Sequence, residues 1–301
     1  MTDTDAYGSR PINKKKRRRL TQRQLAELRG RIHEILAHDH PATVRQVYYR
    51  LVASGAVEKT ENEYKRTVRL LTAMRRERAV PMPWIADYTR WIRKPTTFDS
   101  PEHALRATAR LYRRKLWANQ AAYVEVWLEK DALAGVVIDE TDPYDVPLMV
   151  TRGYPSVSFL HTAAEAIRAQ AERGKPAHLY YLGDHDPSGV DISRHVEERI
   201  REHVPQADLH FERIAVTPEQ ISAWSLPTRP TKRTDTRSRN FDGGSVEVDA
   251  IPPAQLRQLV RDAIEQNIDR RALRVLMAAE ESEREMLLDL ARQGLWRGPQ
   301  R

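Results

Sequence analysis

Acidic residues follow two apolar segments in the second half of the chain, where they could bind a metal ion together. Asp184 and Asp186 come directly after segment 178–182, and Glu129 follows segment 122–128. Carboxylates a few ångströms apart raise one another's pKa, so three of them converging without a counter-ion is unfavourable. A hard divalent cation removes that conflict, and carboxylate and water ligands favour Mg²⁺ or Mn²⁺. The spacing therefore predicts a metal site made of Glu129, Asp184 and Asp186.

Asp186 has a second interpretation. Pro187 suits the first turn of a helix, and an Asp directly before it is a common N-cap. Asp186 would then be a capping residue and Asp184 a loop residue. The residues alone leave both interpretations open.

Segments rich in β-forming residues alternate with helical segments around these carboxylates. The predicted strands are 122–128, 146–151, 178–182 and 209–216. The predicted helices are 131–139, 156–172 and 187–203. This alternation is typical of a parallel α/β sheet, in which ligands bind beyond the carboxyl ends of the strands. Glu129, Lys130 and Asp184 lie at such ends.

The first half has a helical period instead. Apolar residues recur at three-to-four-residue spacing over about 21–37, 43–54 and 62–78, with Thr21 and Thr43 as helix starts. The third helix carries a set of basic residues: Lys65, Arg66, Arg69, Arg75 and Arg76. A helix, a turn and a basic helix predict a helix-turn-helix, with 79–92 as a wing. Tyr48 is expected to pack inward with Val44 and Leu51.

Charge is divided unequally along the 301 residues, whose net charge is +8. Residues 1–120 contain 27 Lys and Arg against 12 Asp and Glu, whereas residues 121–301 contain 23 against 30. The basic residues include an N-terminal run and a pair in the segment 226–241: Lys14, Lys15, Lys16, Arg17, Arg18, Arg19, Lys232 and Arg233. Without the N-terminal run the first half still carries +9. A basic half of this kind predicts binding to a polyanion such as DNA.

Composition excludes several kinds of site. The chain has no cysteine, which excludes disulfides, thiolate metal sites and a cysteine nucleophile, and which favours a reducing compartment. Its apolar stretches are far shorter than the ~20 residues that a membrane span needs, and no signal-peptide pattern is present. We therefore expect a cytoplasmic, nucleoid-associated protein.

Four motifs occur in a fixed order in the second half: Glu129-Lys130, Gly153-Tyr154-Pro155, Asp-x-Asp-Pro-x-Gly at 184–189, and the segment 245–251. Together they resemble the Toprim domain of topoisomerases, primases and certain nucleases. In detail they are similar to the A subunit of topoisomerase VI and to its relative, the meiotic double-strand-break transesterase. That family also has a winged-helix domain whose catalytic tyrosine is the second of a Tyr-Tyr pair, a pattern matched by Arg45-Gln-Val-Tyr48-Tyr49.

The resemblance implies an activity. Tyr49 would attack a DNA phosphodiester to give a 5′-phosphotyrosyl link, with Arg45, one helical turn earlier, and Lys130 assisting. The family also implies a homodimer, in which the tyrosine of one protomer meets the metal site of the other, and a separate ATPase subunit for duplex passage. This sequence departs from the family at Arg152, where a Lys is usual, and at Ser156, where an Asp is usual.

Two other functions fit the same residues. One is a Toprim nuclease that hydrolyses DNA with water, and the other is a DNA-binding regulator without catalysis. The predicted organisation is the same in each case: a basic arm (1–20), a winged-helix domain (21–93), a linker and connecting helix (94–120), a Toprim-type α/β domain (121–251) and C-terminal helices (252–301).

Overall fold

The computed structural model describes residues 20–86, 95–230, 241 and 244–293. Several predicted features lie outside these ranges. They are the N-terminal run Lys14, Lys15, Lys16, Arg17, Arg18 and Arg19, the pair Lys232 and Arg233, and part of the predicted wing.

The first half forms three helices, each started by a threonine. They are α1 (Gln22–His38), α2 (Val44–Ala53) and α3 (Glu61–Arg76), with Thr21, Thr43 and Thr60 as N-caps. Each threonine hydroxyl accepts a hydrogen bond from a backbone amide that the helix itself leaves unpaired. Apolar side chains meet between the helices, among them Ile32, Leu36, Leu51 and Leu71. A one-residue parallel bridge then joins Ile85 to Ala42.

Two helices far apart in sequence pair with each other. The first is α4 (Pro101–Leu111), and the second is α10 (Arg270–Gln293). Within the predicted linker and connecting-helix segment, 94–120, the helix ends at Leu111. The chain becomes extended at Tyr112, and the Arg114 amide donates instead to the buried Glu280 carboxylate (2.8 Å).

The second half is an α/β unit built on a four-stranded, all-parallel sheet, as the alternating pattern predicts. Its strands are β1 (Tyr123–Leu128), β2 (Leu148–Val150), β3 (Ala177–Leu182) and β4 (Leu209–Ala215), in the spatial order β2-β1-β3-β4. The crossover helices are α5 (Ala134–Thr141), α6 (Val157–Ala171) and α7 (Pro187–His203). The chain runs outward from β1 to β2 on one side and from β3 to β4 on the other. The strand order therefore reverses between β1 and β3, the position where open sheets bind ligands.

Helices cover both faces of the sheet. On one face, α6 and α7 pack against Trp127, Leu179 and Tyr181. On the other face, α5 and α9 (Pro253–Glu265) pack against Val126 and Leu128. A short helix, α8 (Pro218–Ala223), follows β4. Among the described residues, no helix has the length and apolar content of a membrane span.

Helix α2 joins the two halves. Tyr48 and Tyr49 belong to the apolar cluster of the sheet, whereas Val44 and Leu51 pack with the three-helix core. The prediction that Tyr48 packs with those two residues is therefore wrong, because α2 has apolar residues on two sides and is held between both cores. The Tyr48 hydroxyl donates to the carbonyl of Thr60 (3.1 Å).

Candidate functional site

Glu129 and Asp184 meet at the point where the strand order reverses. Glu129 directly follows β1, and its Oε2 accepts a hydrogen bond from the backbone amide of Asp184 (3.1 Å), two residues beyond β3. Gly183 leaves room for this contact, since a Cβ at that position would lie 2.6 Å from Oε2 of Glu129. Burial and the charge of Asp184 raise the pKa of Glu129 to about 7. Burial also raises the pKa of Asp184. Two of the three predicted carboxylates therefore share one site.

Asp186 serves as the N-cap of α7. Its Oδ1 accepts a hydrogen bond from the amide of Gly189 (2.8 Å), and Pro187 occupies the first helical position. Gly189 is required by a close approach of the backbone, because a Cβ there would lie 2.2 Å from the carbonyl oxygen of Asp184. The capping interpretation of Asp186 is thus the one that the hydrogen bonds support.

Lys130 occupies the space beside Asp184. Its Nζ contacts Oδ1 of Asp184 (2.9 Å), Oε2 of Glu247 (3.1 Å) and Oδ2 of Asp249 (2.8 Å). The backbone supports this arrangement, because Val248 donates its amide to Oδ1 of Asp184 (2.8 Å). Despite burial, the three carboxylates raise the pKa of Lys130, which keeps the ammonium charged. We refer to Lys130, Asp184, Glu247 and Asp249 as the lysine cluster.

Glu247 connects the lysine cluster to α2. Its Oε1 contacts Arg229 (2.8 Å), and its Oε2 contacts Arg45. These cations, together with Lys130, outweigh burial and lower the pKa of Glu247 to about 2. Glu247 is therefore ionised over the whole range in which the protein would work, and Arg45 is fixed by it at the edge of the sheet.

Tyr49 lies in a pocket beside this ion pair. The pocket has a volume of about 310 Å³ and is lined by residues of α2, the start of α3, and the segments around 228–230 and 247. Tyr49 itself is only 4% exposed, and the Nζ of Lys59 lies 5.2 Å from the centre of its ring. Burial and the charge of Glu247 raise the pKa of the Tyr49 hydroxyl. Within one chain, the candidate nucleophile and Arg45 thus adjoin the lysine cluster.

Arg213, on β4, holds the turn that carries Asp184. Its guanidinium donates to the carbonyl oxygens of Gly183 (2.9 Å), Gly189 (3.1 Å) and Asp184, and it is stacked over the ring of Tyr181 (5.9 Å). A side chain that bonds to backbone carbonyls on both sides of a turn fixes its path. Arg213 therefore positions the Asp184 carboxylate without being one of the acidic groups itself.

The basic residues of α3 differ in how free they are to bind a phosphate. Lys65 pairs with Glu61 (3.2 Å) and Arg66 with Glu63 (2.5 Å), both on the same helix. Arg69 and Arg76 are exposed. Arg75 is half-buried, and its Nε has no hydrogen-bond partner in the described part of the chain.

Five residues of this site were missing from the predicted set: Lys59, Arg213, Arg229, Glu247 and Asp249. Glu247 and Asp249 do have a signal, because they occupy alternate positions in the segment 245–251 that carries the family resemblance. Backbone pairing of Val246 with His185, with N···O distances of 2.8 and 2.9 Å, brings that segment beside Asp184. No local pattern marks Lys59 or Arg213, whose partners are remote in sequence.

The predicted metal ligands meet only some of the requirements of a divalent cation. No group of three or more His, Asp or Glu side chains within the described ranges is arranged to hold a metal ion. Glu129 and Asp184 nevertheless have the right chemistry, since both are oxygen donors and a cation would relieve the repulsion that helps to raise the pKa of Glu129. Two of the three predicted carboxylates therefore suit a divalent cation, and the third, Asp186, caps α7.

The middle of the chain is similar to a known protein family. Residues 104–211 match a family model described as "Protein of unknown function C-terminus (DUF2399)", which covers about a third of the chain and includes Glu129, Asp184 and Asp186. A search of curated proteins found no match.

Proposed function

We propose that this protein is a divalent-metal-dependent DNA-cleaving enzyme, with a winged-helix domain followed by a Toprim-type domain, in which Tyr49 attacks the phosphodiester. One observation carries the proposal. Helix α2, with Arg45 and Tyr49, lies against the acidic edge of a parallel sheet at the position where its strand order reverses. A nucleophile, cations and carboxylates converge there, as phosphoryl transfer requires.

The residues of the chain would divide the chemistry as follows. Tyr49 supplies the attacking oxygen, while Arg45 and Arg229, both on the wall of the pocket, orient the phosphate and balance its charge. Glu129 and Asp184 would hold Mg²⁺ or Mn²⁺, while Asp186, the third predicted ligand, caps the helix that begins beside them. When bound, such a cation would stabilise the charge that develops on the phosphate oxygens. Lys130 favours the ionised form of Asp184 and fixes its carboxylate, and the reaction leaves a 5′-phosphotyrosyl link and a free 3′ hydroxyl.

Binding of double-stranded DNA is supported by charge. The basic first half and the exposed cations of α3 fit contacts to the phosphate backbone, whose affinity falls steeply with salt. Arg69→Ala should lower the slope of log affinity against log salt by about 1, whereas Glu34→Ala on α1 serves as the control and should not lower it. An unchanged slope in Arg69→Ala would remove α3 from the DNA-binding surface.

A homodimer and a separate ATPase subunit complete the proposal. The resemblance implies that the tyrosine of one protomer meets the metal site of the other. Because Tyr49 lies beside Glu247 of its own chain, we propose instead that the groups of one protomer act together in one cut. A homodimer would then supply a second site for the opposite strand, and an ATPase subunit would drive passage of a duplex through the break.

Hydrolysis by water is the second candidate function, favoured by the burial of Tyr49. Tyr49 is only 4% exposed, and a tyrosine hydroxyl whose pKa is raised by burial is a poor nucleophile as it stands. Glu129, whose pKa is raised to about 7, could instead take a proton from an attacking water. In that case Tyr49 would be a packing residue only.

One experiment separates these functions. Supercoiled plasmid is incubated with the protein and Mg²⁺ or Mn²⁺, and the ends are tested for covalently bound protein. The proposal predicts protein-linked 5′ ends that are lost in Tyr49→Phe and retained in the matched control Tyr48→Phe. Protein-free ends that persist in Tyr49→Phe would establish the nuclease. Binding of DNA without cleavage under either metal would establish the regulator.

A further inference from the structure

We infer that Lys59 accepts the proton of the Tyr49 hydroxyl during attack on DNA, and so acts as the general base of the reaction. This inference rests on the proposed function of Tyr49. It begins from the position of Lys59, which lies directly before the N-cap of α3 and lines the same pocket. Its Nζ lies over the Tyr49 ring, 5.2 Å from the ring centre. No sequence motif marks this residue.

Lys59 is held in place by the backbone of a segment remote in sequence. Its Nζ donates a hydrogen bond to the carbonyl oxygen of Pro227 (2.6 Å), next to the pocket residue Thr228, which anchors the half-buried side chain. A general base has to be positioned close to the group whose proton it removes. The hydrogen bond to Pro227 and the contact with the Tyr49 ring hold the Lys59 amine beside that residue.

The protonation chemistry of Lys59 suits the role. Burial and the neighbouring charge of Arg229 lower its pKa to about 8, against a partial opposing effect of Glu247. A substantial fraction of the amine is therefore neutral near physiological pH, and a base is most effective when its pKa lies close to the working pH. The charged or titratable groups that line the pocket with Lys59 come from α2, α3 and two further segments: Arg45, Tyr48, Tyr49, Glu61, Tyr64, Arg229 and Glu247.

Other groups in the pocket are less suited to accept a proton. The guanidinium groups of Arg45 and Arg229 stay protonated at any physiological pH. Glu247 has a pKa of about 2 and is bound to both of them, so it is a very weak base. Glu61 is exposed and pairs with Lys65. Within the described lining of the pocket, Lys59 best combines proximity to Tyr49 with a suitable pKa.

The reaction step is balanced as follows. The O–H bond of Tyr49 breaks, and its proton passes to the neutral amine of Lys59. The phenolate oxygen forms a bond to phosphorus as the bond from phosphorus to the 3′ oxygen breaks, and that oxygen leaves with the electron pair. It then takes a proton from water, and the Lys59 ammonium returns its proton to the solvent.

The test measures the rate of protein–DNA linkage against pH in single turnovers with duplex DNA. For the unaltered protein we expect the rate to rise with pH, with a midpoint at about 8. Lys59→Arg keeps the positive charge but cannot act as a base. At pH 7.5 the linkage rate of this variant should be about 100-fold lower than that of the unaltered protein. Its pH profile should have no midpoint near 8, and the rate should recover partly above pH 9, where hydroxide substitutes for the amine. The matched control Lys65→Arg, at an exposed position of α3, should stay within about twofold of the unaltered protein.

Chemical rescue gives a second measurement in case the arginine does not fit the pocket. Lys59→Ala should be as slow as Lys59→Arg, and added methylamine should restore part of the rate, which a purely structural loss would not permit. A Lys59→Arg rate and midpoint equal to those of the unaltered protein, with linkage still dependent on Tyr49, would overturn the inference and leave the proposed function intact. Absence of any Tyr49-linked DNA would overturn both.

Discussion

Two carboxylates with similarly raised pKa values are positioned by β1: Glu125 lies within the strand, and Glu129 directly follows its carboxyl end. Burial raises the pKa of Glu125 to about 7, and burial together with the charge of Asp184 raises that of Glu129 to about 7. Their partners differ. Glu125 accepts hydrogen bonds from Tyr123 (2.7 Å) and Trp127 (2.8 Å) on its own strand. Glu129 instead faces another carboxylate across the gap to β3.

The difference shows that a perturbed pKa does not by itself mark a functional site. Glu125 is 1% exposed, and both of its oxygens have donors, so its raised pKa is the consequence of a buried and satisfied structural group. Glu129 is half-buried, and part of its shift comes from a like charge, which a substrate or cation could remove. Location and the identity of the perturbing group therefore separate the two roles.

The strongest test of the difference between Glu125 and Glu129 is to neutralise Glu129, Asp184 and Glu125 in separate variants. Glu129→Gln and Asp184→Asn should each lower the rate of metal-dependent plasmid cleavage by about 100- to 1,000-fold, because each removes charge that acts in the transition state. Glu125→Gln should leave the rate within about threefold. The comparison would fail if Glu125→Gln were as slow as Glu129→Gln while remaining folded by circular dichroism.

The free energy of unfolding should depend on Glu125 more than on Glu129, the reverse of the order expected for the cleavage rate. Glu125→Ala leaves the Tyr123 hydroxyl and the Trp127 indole N–H without an acceptor in the core, and it opens a cavity. We expect the free energy of unfolding to fall by about 2–4 kcal/mol. Glu129→Ala removes a carboxylate that repels Asp184 and should cost less than about 1 kcal/mol. Urea unfolding of the two variants measures both values, and equal losses would contradict the assignment of distinct roles.

How much of this site can be predicted from the sequence depends on how far apart in sequence the contacting residues lie. The alternation of apolar segments predicts the parallel strands, and parallel strands place Glu129 and Asp184 at one edge. The threonine starts of α1 and α2 are local signals that the structure confirms. The strand order and the contacts of Lys59, Arg213 and Glu247 arise only after folding, because their partners lie far away in sequence. Glu125 was overlooked for a similar reason, since a charged residue within an apolar strand does not reveal which neighbours will satisfy it.

The pH dependence of stability tests the raised pKa of Glu125 directly. Because the folded-state pKa of Glu125 is raised to about 7, from an ordinary value of 4.5, the folded protein binds this proton more tightly than the unfolded chain. Stability from this group is therefore complete below about pH 4.5 and is lost as the pH rises through 7, by about 3 kcal/mol in total. Between pH 5 and pH 8 the urea midpoint of the unaltered protein should fall more than that of Glu125→Gln. Parallel curves for the two proteins would mean that Glu125 titrates normally.

The smallest expected effect tests the cause of the Glu125 shift. Tyr123→Phe removes one of the two hydrogen bonds that favour the ionised carboxylate, while the aromatic ring continues to pack against the core. The free energy of unfolding should fall by about 0.5–1.5 kcal/mol at pH 8, where Glu125 is ionised, and by less at pH 5, where it is protonated. Losing a donor to the charged form also raises the pKa of Glu125 further, so the pH at which stability declines should move upward. A decline that moved downward would show that the Tyr123 hydroxyl favours the protonated carboxyl, in which case that hydrogen bond contributes to the raised pKa of Glu125 and burial alone does not account for it.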